Sequence, residues 1–580
     1  MTIRTAFGVL VIGMLLGWSH AAPADTAQPL KTEIDAYIHR LEASTSFHLH
    51  WDGADSFEVK ESGDTATATI ANAHLSFRKQ VDDQKPIVSV TLDRIEIRRA
   101  PAAAGTNLTE YAITAPASSA ITISDGTELT VSLKDGRMSF ALEAPGDHQR
   151  AMTLSLSGGR IEQKDHKDYL AFGALTSSWK IVRSDNGGWR APLDLELKGL
   201  EFLFTEAPLA GSIDRISNIG EAVGPSLADL DAIRDKVAEI REQDSPEQRV
   251  AAWLDLLPKF VGVFSSSKGA LTVENMTIKK PGGETQVTLK KATVGGGLSG
   301  LDGEKATFSL RMDYEGLTID PSLLPETRVP QRGVIDLALE DIATSALRTL
   351  AEAGSEAKPD APDEVRQKAI QQLMATAMSL SPVLRLREGA VDFKRVQIAA
   401  TGEAKRAPPM PIGYSATGDI VVRGFDALSD IVTGELGRAY LPLLKFIGAT
   451  VVAADGTPTV KFHLTSGFGQ IIAVNGSNLA AWFNTHVASN PDPTPQRTLQ
   501  LTVPPMTGDD VRTVQQALPA NKQAGLTAGS YDTATALAVA QFQKDSGLNV
   551  DGVVDGKTRD KLGIKPPPPP ASPQPAPPKN

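Results

Sequence analysis

Leu129-Thr130-Val131-Ser132-Leu133-Lys134-Asp135-Gly136 alternates apolar and polar side chains, then breaks on an Asp-Gly pair. Successive strand residues point to opposite faces, so this run predicts a strand with one apolar and one polar face. The alternation recurs in Val88-Ser89-Val90-Thr91-Leu92, Ile95-Glu96-Ile97, Met152-Thr153-Leu154-Ser155-Leu156 and Leu193-Asp194-Leu195-Glu196-Leu197. Asp125-Gly126 and Asp135-Gly136 lie between such runs, and Asp-Gly supplies the positive φ of tight hairpin turns. Residues 60–205 therefore read as a half-buried antiparallel meander and not as a parallel nucleotide-binding sheet.

Helical periodicity interrupts the alternation. Lys31 to Ala43 carries Ile34, Tyr37, Ile38 and Leu41 on one stripe, and Leu227, Leu230, Ile233, Val237 and Ile240 keep helical spacing further on. Ser245-Pro246-Glu247-Gln248 offers a cap, a proline at the first helical position and a Gln three residues after the cap. The apolar positions of that helix are Val250, Trp253, Leu254, Leu257, Val261 and Phe264, and Gly269 to Ile278 follows as an alternating strand. Pro362-Asp363-Glu364 opens a similar pattern with Ile370, Leu373, Ala377 and Leu380, followed by Gly389 to Ile398. The two stretches read either as duplicated helix-plus-sheet units or as a chance likeness of two amphipathic strands.

The chain has 580 residues, with 58 Lys and Arg against 69 Asp and Glu, a formal charge of −11. Such a length predicts about three to five domains. No basic block stands out, so a nucleic-acid partner is not expected. The chain lacks cysteine, which excludes disulfides, thiolate metal sites, thiol nucleophiles and a lipoprotein anchor. Arg4, the apolar run Ala6 to Trp18 and the small residues before Ala24 read as a secretory signal peptide, cleaved or kept as an anchor. Without that peptide the chain is expected in the periplasm or secreted, associated with the cell envelope.

Catalytic motifs are missing from the pattern. His48 and His50 share a strand face, but a catalytic zinc ordinarily takes three protein ligands. Ser265-Ser266-Ser267-Lys268 matches S-x-x-K without the partner motifs of a serine acyl-transferase, so it reads as a helix-end loop. No cofactor, metal set or catalytic residue is assigned. Carboxylates are plentiful, and two at the right separation suffice for a glycosidase.

After the proline-spaced linker Asn490 to Pro495 the pattern becomes helical. Three blocks follow in order: Gly508-Asp509-Asp510-Val511-Arg512-Thr513-Val514-Gln515-Gln516-Ala517-Leu518, then Gly529-Ser530-Tyr531-Asp532-Thr533-Ala534-Thr535 with Val539, Phe542 and Gln543, then Gly547-Leu548 through Asp551-Gly552-Val553-Val554 to Leu562. These blocks resemble the peptidoglycan-binding-like domain of bacterial cell-wall proteins. Two departures are Val514 where the family has Leu, and Asp555-Gly556 where it has glycine first; Asp tolerates positive φ, so the turn is expected to survive. The resemblance implies a small three-helix bundle that binds peptidoglycan. Val511, Leu518, Val539, Phe542, Leu548 and Leu562 are expected to pack, Gly529 and Gly552 to turn. Tyr531, Asp532, Gln543 and Asp551 are the candidate wall-contacting residues, with capping of its own helix an equal role for Asp532. The body's exported helix-plus-sheet pattern resembles, in architecture alone, AsmA-like envelope proteins.

The expected fold class is α+β: a large antiparallel β-rich body with interspersed helices, then the three-helix bundle. The divisions are 1–24 signal peptide, 25–210 β-rich region, 211–490 helix-plus-sheet units, 491–498 proline-rich linker, 499–564 wall-binding domain and 565–580 proline-rich tail. The tail is extended chain, either a spacer through the wall mesh or a disordered end. The leading expectation is an envelope protein that binds peptidoglycan through its C-terminal domain and carries a non-catalytic β-rich scaffold or binding body, with a lipid or an envelope protein as the body's partner. The alternatives are a cell-wall hydrolase whose carboxylate site lies in the body, and a periplasmic lipid-binding protein.

Overall fold

The computed structural model describes residues 30–44, 49–78, 85–101, 107–143, 148–205, 208–241, 245–280, 282–358, 361–406, 414–432, 441, 445, 448–453, 456–467, 470–478, 497–500, 505–523, 525–548 and 552–564. The expected signal peptide, most of the linker, the tail, His48 and Asp551 lie outside these residues. Within them the chain is β-rich with interspersed helices, and it divides into two compact units, Met1–Ala399 with Ala427–Val432, and Ala400–Asp426 with Thr433–Asn580.

The first unit is built on a meander. Its strands are β1 (Leu49–Ser62), β2 (Thr65–Phe77), β3 (Val88–Pro101), β4 (Leu108–Thr114), β5 (Ser118–Ile123), β6 (Glu128–Ser132), β7 (Asp135–Glu143), β8 (His148–Gln163), β9 (Tyr169–Lys180), β10 (Val182–Arg183), β11 (Trp189–Phe204), β12 (Leu209–Gly224), β13 (Ser266–Lys279), β14 (Thr285–Ser299), β15 (Lys305–Glu315), β16 (Thr318–Ile319), β17 (Arg332–Ala343) and β18 (Val383–Asp392). All the pairings are antiparallel. β1, β2 and β3 lie side by side. β4 and β5 follow end to end along β3, and β7 and β6 end to end along them and along β8. From β8 the order runs through β9, β11, β12, β13, β14, β15 and β17 to β18. β12 runs in register with β11 from Leu209 to Gly224, across position 210/211.

A seam crosses this sheet. The ladder skips Asp55, Asn72 and Asp93 in β1 to β3, Gly158, Gly173 and Gly199 in β8, β9 and β11, and Asp214, Asn275 and Lys290 in β12 to β14. Every second one of these strands places its seam residue in the left-handed region: Asn72 at φ 47°, Gly158 at 56°, Gly199 at 61° and Asn275 at 52°. Asn is one of the few side chains that tolerate this region, because it bonds locally. Asn72 donates to Asp55 at 2.7 Å and Asn275 donates to Asp214 at 2.9 Å, the same device at two places in the sheet. Like a bulge, the seam resets the alternation. Apolar side chains therefore stay on one face across it: Ala66, Ala68 and Ile70, then Ala73 in β2; Leu154 and Leu156, then Ile161 in β8, all buried.

That apolar face is treated differently along the sheet. In the early strands the cross-strand row Ala68–Ile97–Ile113–Met138–Leu154 lies in or against the buried cores. The helix α1 (Leu30–Ser44) covers part of it with Leu30 and Ile34. Buried Glu33 of α1 is paired with Arg99 and accepts the Tyr111 hydroxyl at 3.1 Å. The row continues through Ser177, Leu195 and Asn218 to Leu271, Val294, Met312 and Ile335. There it is open: these last four side chains are 42–47% exposed. The rows beside them are also apolar or glycine, Val273–Ala292–Tyr314 on one side and Gly269–Gly296–Leu310–Leu337 on the other.

Two helical hairpins replace tight turns at one end of this region. α2 (Leu227–Arg241) and α3 (Pro246–Val263) connect β12 to β13, and α4 (Thr344–Glu356) and α5 (Asp363–Ser379) connect β17 to β18. Ser245 caps α3 as its sequence predicts, accepting the Gln248 N–H at 3.4 Å. α3 is anchored through buried Leu256 and Val263, whereas Val250, Trp253 and Leu257 of its expected apolar stripe stay exposed. α4 has no counterpart in the sequence reading. No helix among the described residues is long and apolar enough to cross a membrane.

Three local expectations are corrected. Asp135-Gly136 opens β7 instead of forming a turn, and glycine is required by close approach, since a Cβ there would lie 2.7 Å from the Ala115 Cβ. Gly389 to Ile398 is not one strand: β18 ends at Asp392, and Phe393 N–H closes a tight turn onto Val396 O at 2.8 Å. Ser266 to Lys268 is the start of β13 and not a loop, with Lys268 paired to Glu221 at 3.2 Å.

The short helix α6 (Leu428–Ile431) belongs to the first unit. β19 (Gln397–Arg406) begins in the first unit and continues in the second, which holds β20 (Tyr414–Arg423), β21 (Ala449–Val452), β22 (Pro458–Gly467), β23 (Gln470–Val474) and β24 (Ser477–Asn478), a smaller antiparallel group centred on β22.

Candidate functional site

The C-terminal region builds its own core. β25 (Met506–Thr507) pairs with β26 (Ser530–Tyr531), and around this ribbon lie α7 (Asp509–Ala517), α8 (Thr533–Asp545) and α9 (Gly556–Leu562). Leu499 bridges to Val554. The ribbon and the bridge are additions to the three expected helices. Val511, Val514, Leu518, Val539 and Phe542 are buried together, with Leu548 and Leu562 packed against them. Val514, the departure from the family pattern, is fully buried, as a substitution of similar shape permits.

Two glutamines organise two turns in the same way. Gln515 accepts the Gly529 N–H at 2.8 Å and donates to Thr527 O, Ser530 O and the Thr535 hydroxyl, each at 2.9 Å. Gln543 accepts the Gly552 N–H at 2.8 Å and donates to Val553 O at 2.9 Å and the Thr558 hydroxyl at 3.2 Å. Gly529 and Gly552 have φ of 72° and 66°, the conformation that makes glycine necessary. Three residues after each glycine an Asp caps the next helix: Asp532 accepts the Thr535 N–H at 2.9 Å, and Asp555 the Thr558 N–H at 2.8 Å. Burial raises the Asp532 carboxyl, but the Thr535 N–H and the Thr527 and Thr535 hydroxyls outweigh it and hold the group below its ordinary value. The Thr558 N–H, then its hydroxyl, lowers Asp555.

The four candidate contact residues are thus placed as follows. Tyr531 is wholly buried and donates its hydroxyl to Gly552 O at 2.9 Å. Gln543 is buried in the turn described above. Asp532 is half-buried and caps α8. Asp551 lies outside the described residues. Asp555, expected in a positive-φ turn, has φ −87° and is a cap. Gln515, Thr535, Asp555 and Thr558 carry structural roles that the sequence reading did not assign, although the spacing G-x-x-D-x-x-T occurs twice, at 529/532/535 and 552/555/558.

Among the described residues of the body, a polar cavity of about 280 Å³ has Thr153, Thr176, Asp194, Glu196 and Arg215 among its lining residues. Lys198 and Arg215 each hold Glu196 at 2.6 Å. The Lys198 bond first, then Arg215, lowers its carboxyl. A general acid for glycoside cleavage needs the opposite shift.

Residues 507–562 match the sequence model of a family described as "Putative peptidoglycan binding domain". No curated protein and no solved structure matches the chain. Nothing in these comparisons supports the AsmA-like likeness of the body.

Proposed function

We propose that this is an exported bacterial envelope protein held to peptidoglycan by residues 499–564, with the β-rich body as a non-catalytic scaffold or binding surface. The match over residues 507–562, with its two matched glutamine-ordered turns, carries the reading. Fold alone does not make function, so the wall-contact role is assigned to the domain's turns: of the four candidates, Asp532 keeps an exposed portion and Asp551 directly precedes Gly552 in the sequence, while Tyr531 and Gln543 shape those turns from inside. Residues 1–24 supply the export address and place the chain in the periplasm or outside the cell.

Sedimentation with purified sacculi tests the tether. The full chain is expected to co-sediment and a chain ending before residue 497 to remain in solution; co-sedimentation of both would move wall binding to the body. The alternative, a cell-wall hydrolase whose carboxylate site lies in the body, predicts a clearing zone on a sacculus zymogram.

A further inference from the structure

We propose that the open apolar face of β13 to β18 is a binding site for the hydrocarbon chain of a lipid. This rests on the reading of the body as a binding surface and names its ligand. A one-sided sheet in water needs its apolar face covered, and this face is the strand-by-strand continuation of the one buried as core in β2 to β8. Leu271, Val294, Met312 and Ile335 are left open in one row.

The chemistry of the face selects the occupant. The backbone groups of these strands are engaged in the ladder, and the row with its two neighbouring rows carries one polar group, the Tyr314 hydroxyl. A protein partner brings about one hydrogen bond for every 100–200 Å² of interface, which this face does not answer. The open side chains, with Phe308 and Leu310, present on the order of 500 Å², short of the ~800 Å² per partner of a standard interface, which argues against a second copy. Charge points the same way. Arg311 pairs with Asp336 at 3.1 Å and Glu388 at 2.9 Å, on the opposite face of the sheet, so the open face is apolar and uncharged. Size agrees: five neighbouring strands span about 19 Å at ~4.8 Å each. One acyl chain reaches about 15 Å, half of a ~30 Å bilayer core. An acyl chain needs no hydrogen bonds and lies along such a row.

The test uses the full chain and cis-parinaric acid, whose fluorescence rises on transfer from water to an apolar site. Met312→Glu and Val294→Glu put charge into the row. Both positions are near half-exposed, so the free chain keeps the carboxylate in water, and an unchanged far-UV spectrum and melting temperature verify folding. Thr293→Glu places the same charge on the opposite face. The expected result is an affinity at least ~10-fold weaker in both row variants and unchanged in Thr293→Glu, because a buried unpaired charge opposes binding. No binding to the unsubstituted chain, or equal loss in all three, overturns the assignment. So does a dimer by light scattering that Met312→Glu dissociates. All variants should still sediment with sacculi: loss of parinaric acid binding alone leaves the wall tether standing, whereas failure of every chain to sediment removes the tether and leaves the lipid site.

Discussion

The side-chain carbonyl of Gln543 accepts the backbone N–H of Gly552 at 2.8 Å. Gln515 does the same for Gly529 at the same length. Each bond closes a turn whose glycine is left-handed and whose third following residue caps a helix, so one glutamine sets the start of the next element. The C-terminal region is in this sense two copies of one turn, each held from within by an amide.

Gln543→Ala removes the acceptor for a buried N–H and the donor to Val553 O. An unsatisfied buried group costs about 1–3 kcal/mol. Amide hydrogen exchange across residues 529–562 of the full chain should accelerate by roughly 10- to 100-fold, with the body unchanged, since exchange reads local opening. Gln515→Ala should act likewise around Gly529.

Asp555→Ala should cost about 1 kcal/mol of stability in α9, and Asp555→Asn much less, because Asn keeps the capping oxygen. The pH dependence follows from the lowered carboxyl. Its folded pKa lies below the unfolded value of about 3.9, so the stabilisation is complete above that value and is lost as pH falls through the folded pKa. Exchange protection of α9 should therefore decline below about pH 4 in the unsubstituted chain and change less in Asp555→Asn.

The alternation around Leu129 to Leu133 made the antiparallel body legible, because period two is written directly into side-chain order. The C-terminal domain was legible through its three spaced blocks, which the family match over residues 507–562 covers. Roles inside it were not: Tyr531 looks like an exposed aromatic at a turn, and only its bond to Gly552 O places it in the core. The helix α4 is hard to read from the sequence because its Ala, Gly and Ser content supplies few large apolar side chains to mark a periodicity, and its buried positions include the small residues Ala351 and Ala353. The seam left single-residue traces, Asn72 and Asn275, with no local pattern to mark them.

Glu33 and Arg99 pair under α1, with Tyr111 donating to the same carboxylate. Glu33→Ala removes one side of this largely buried pair and should cost about 3–5 kcal/mol, the usual penalty for such a loss. In Glu33→Ala with Arg99→Met both charges of the pair are gone, so much of that loss should be recovered. Urea denaturation of the unsubstituted chain and the two variants, followed by Trp fluorescence, checks the order; a double variant as weak as the single would mean the pair is needed for packing and not for charge balance.

Asn275 does two things at once: it accepts a backbone conformation that other side chains resist, and it bonds Asp214. Substitution separates them. Asn275→Gly keeps the left-handed backbone and loses only the side-chain bond, about 1 kcal/mol. Asn275→Ala loses the bond and also strains the backbone by about 1–2 kcal/mol. Asn275→Val is worse, since a β-branched residue resists this region further. If the strand relaxes to negative φ there, alternation is no longer reset, and Met276, which pairs with Ile213 and Leu289, turns to the polar face together with Ile278. Thermal melting should rank the variants Gly above Ala above Val, with Asn72 and its partner Asp55 giving the same order in β2. Equal losses in Gly and Ala would mean that the bond to Asp214, and not the backbone, holds the seam.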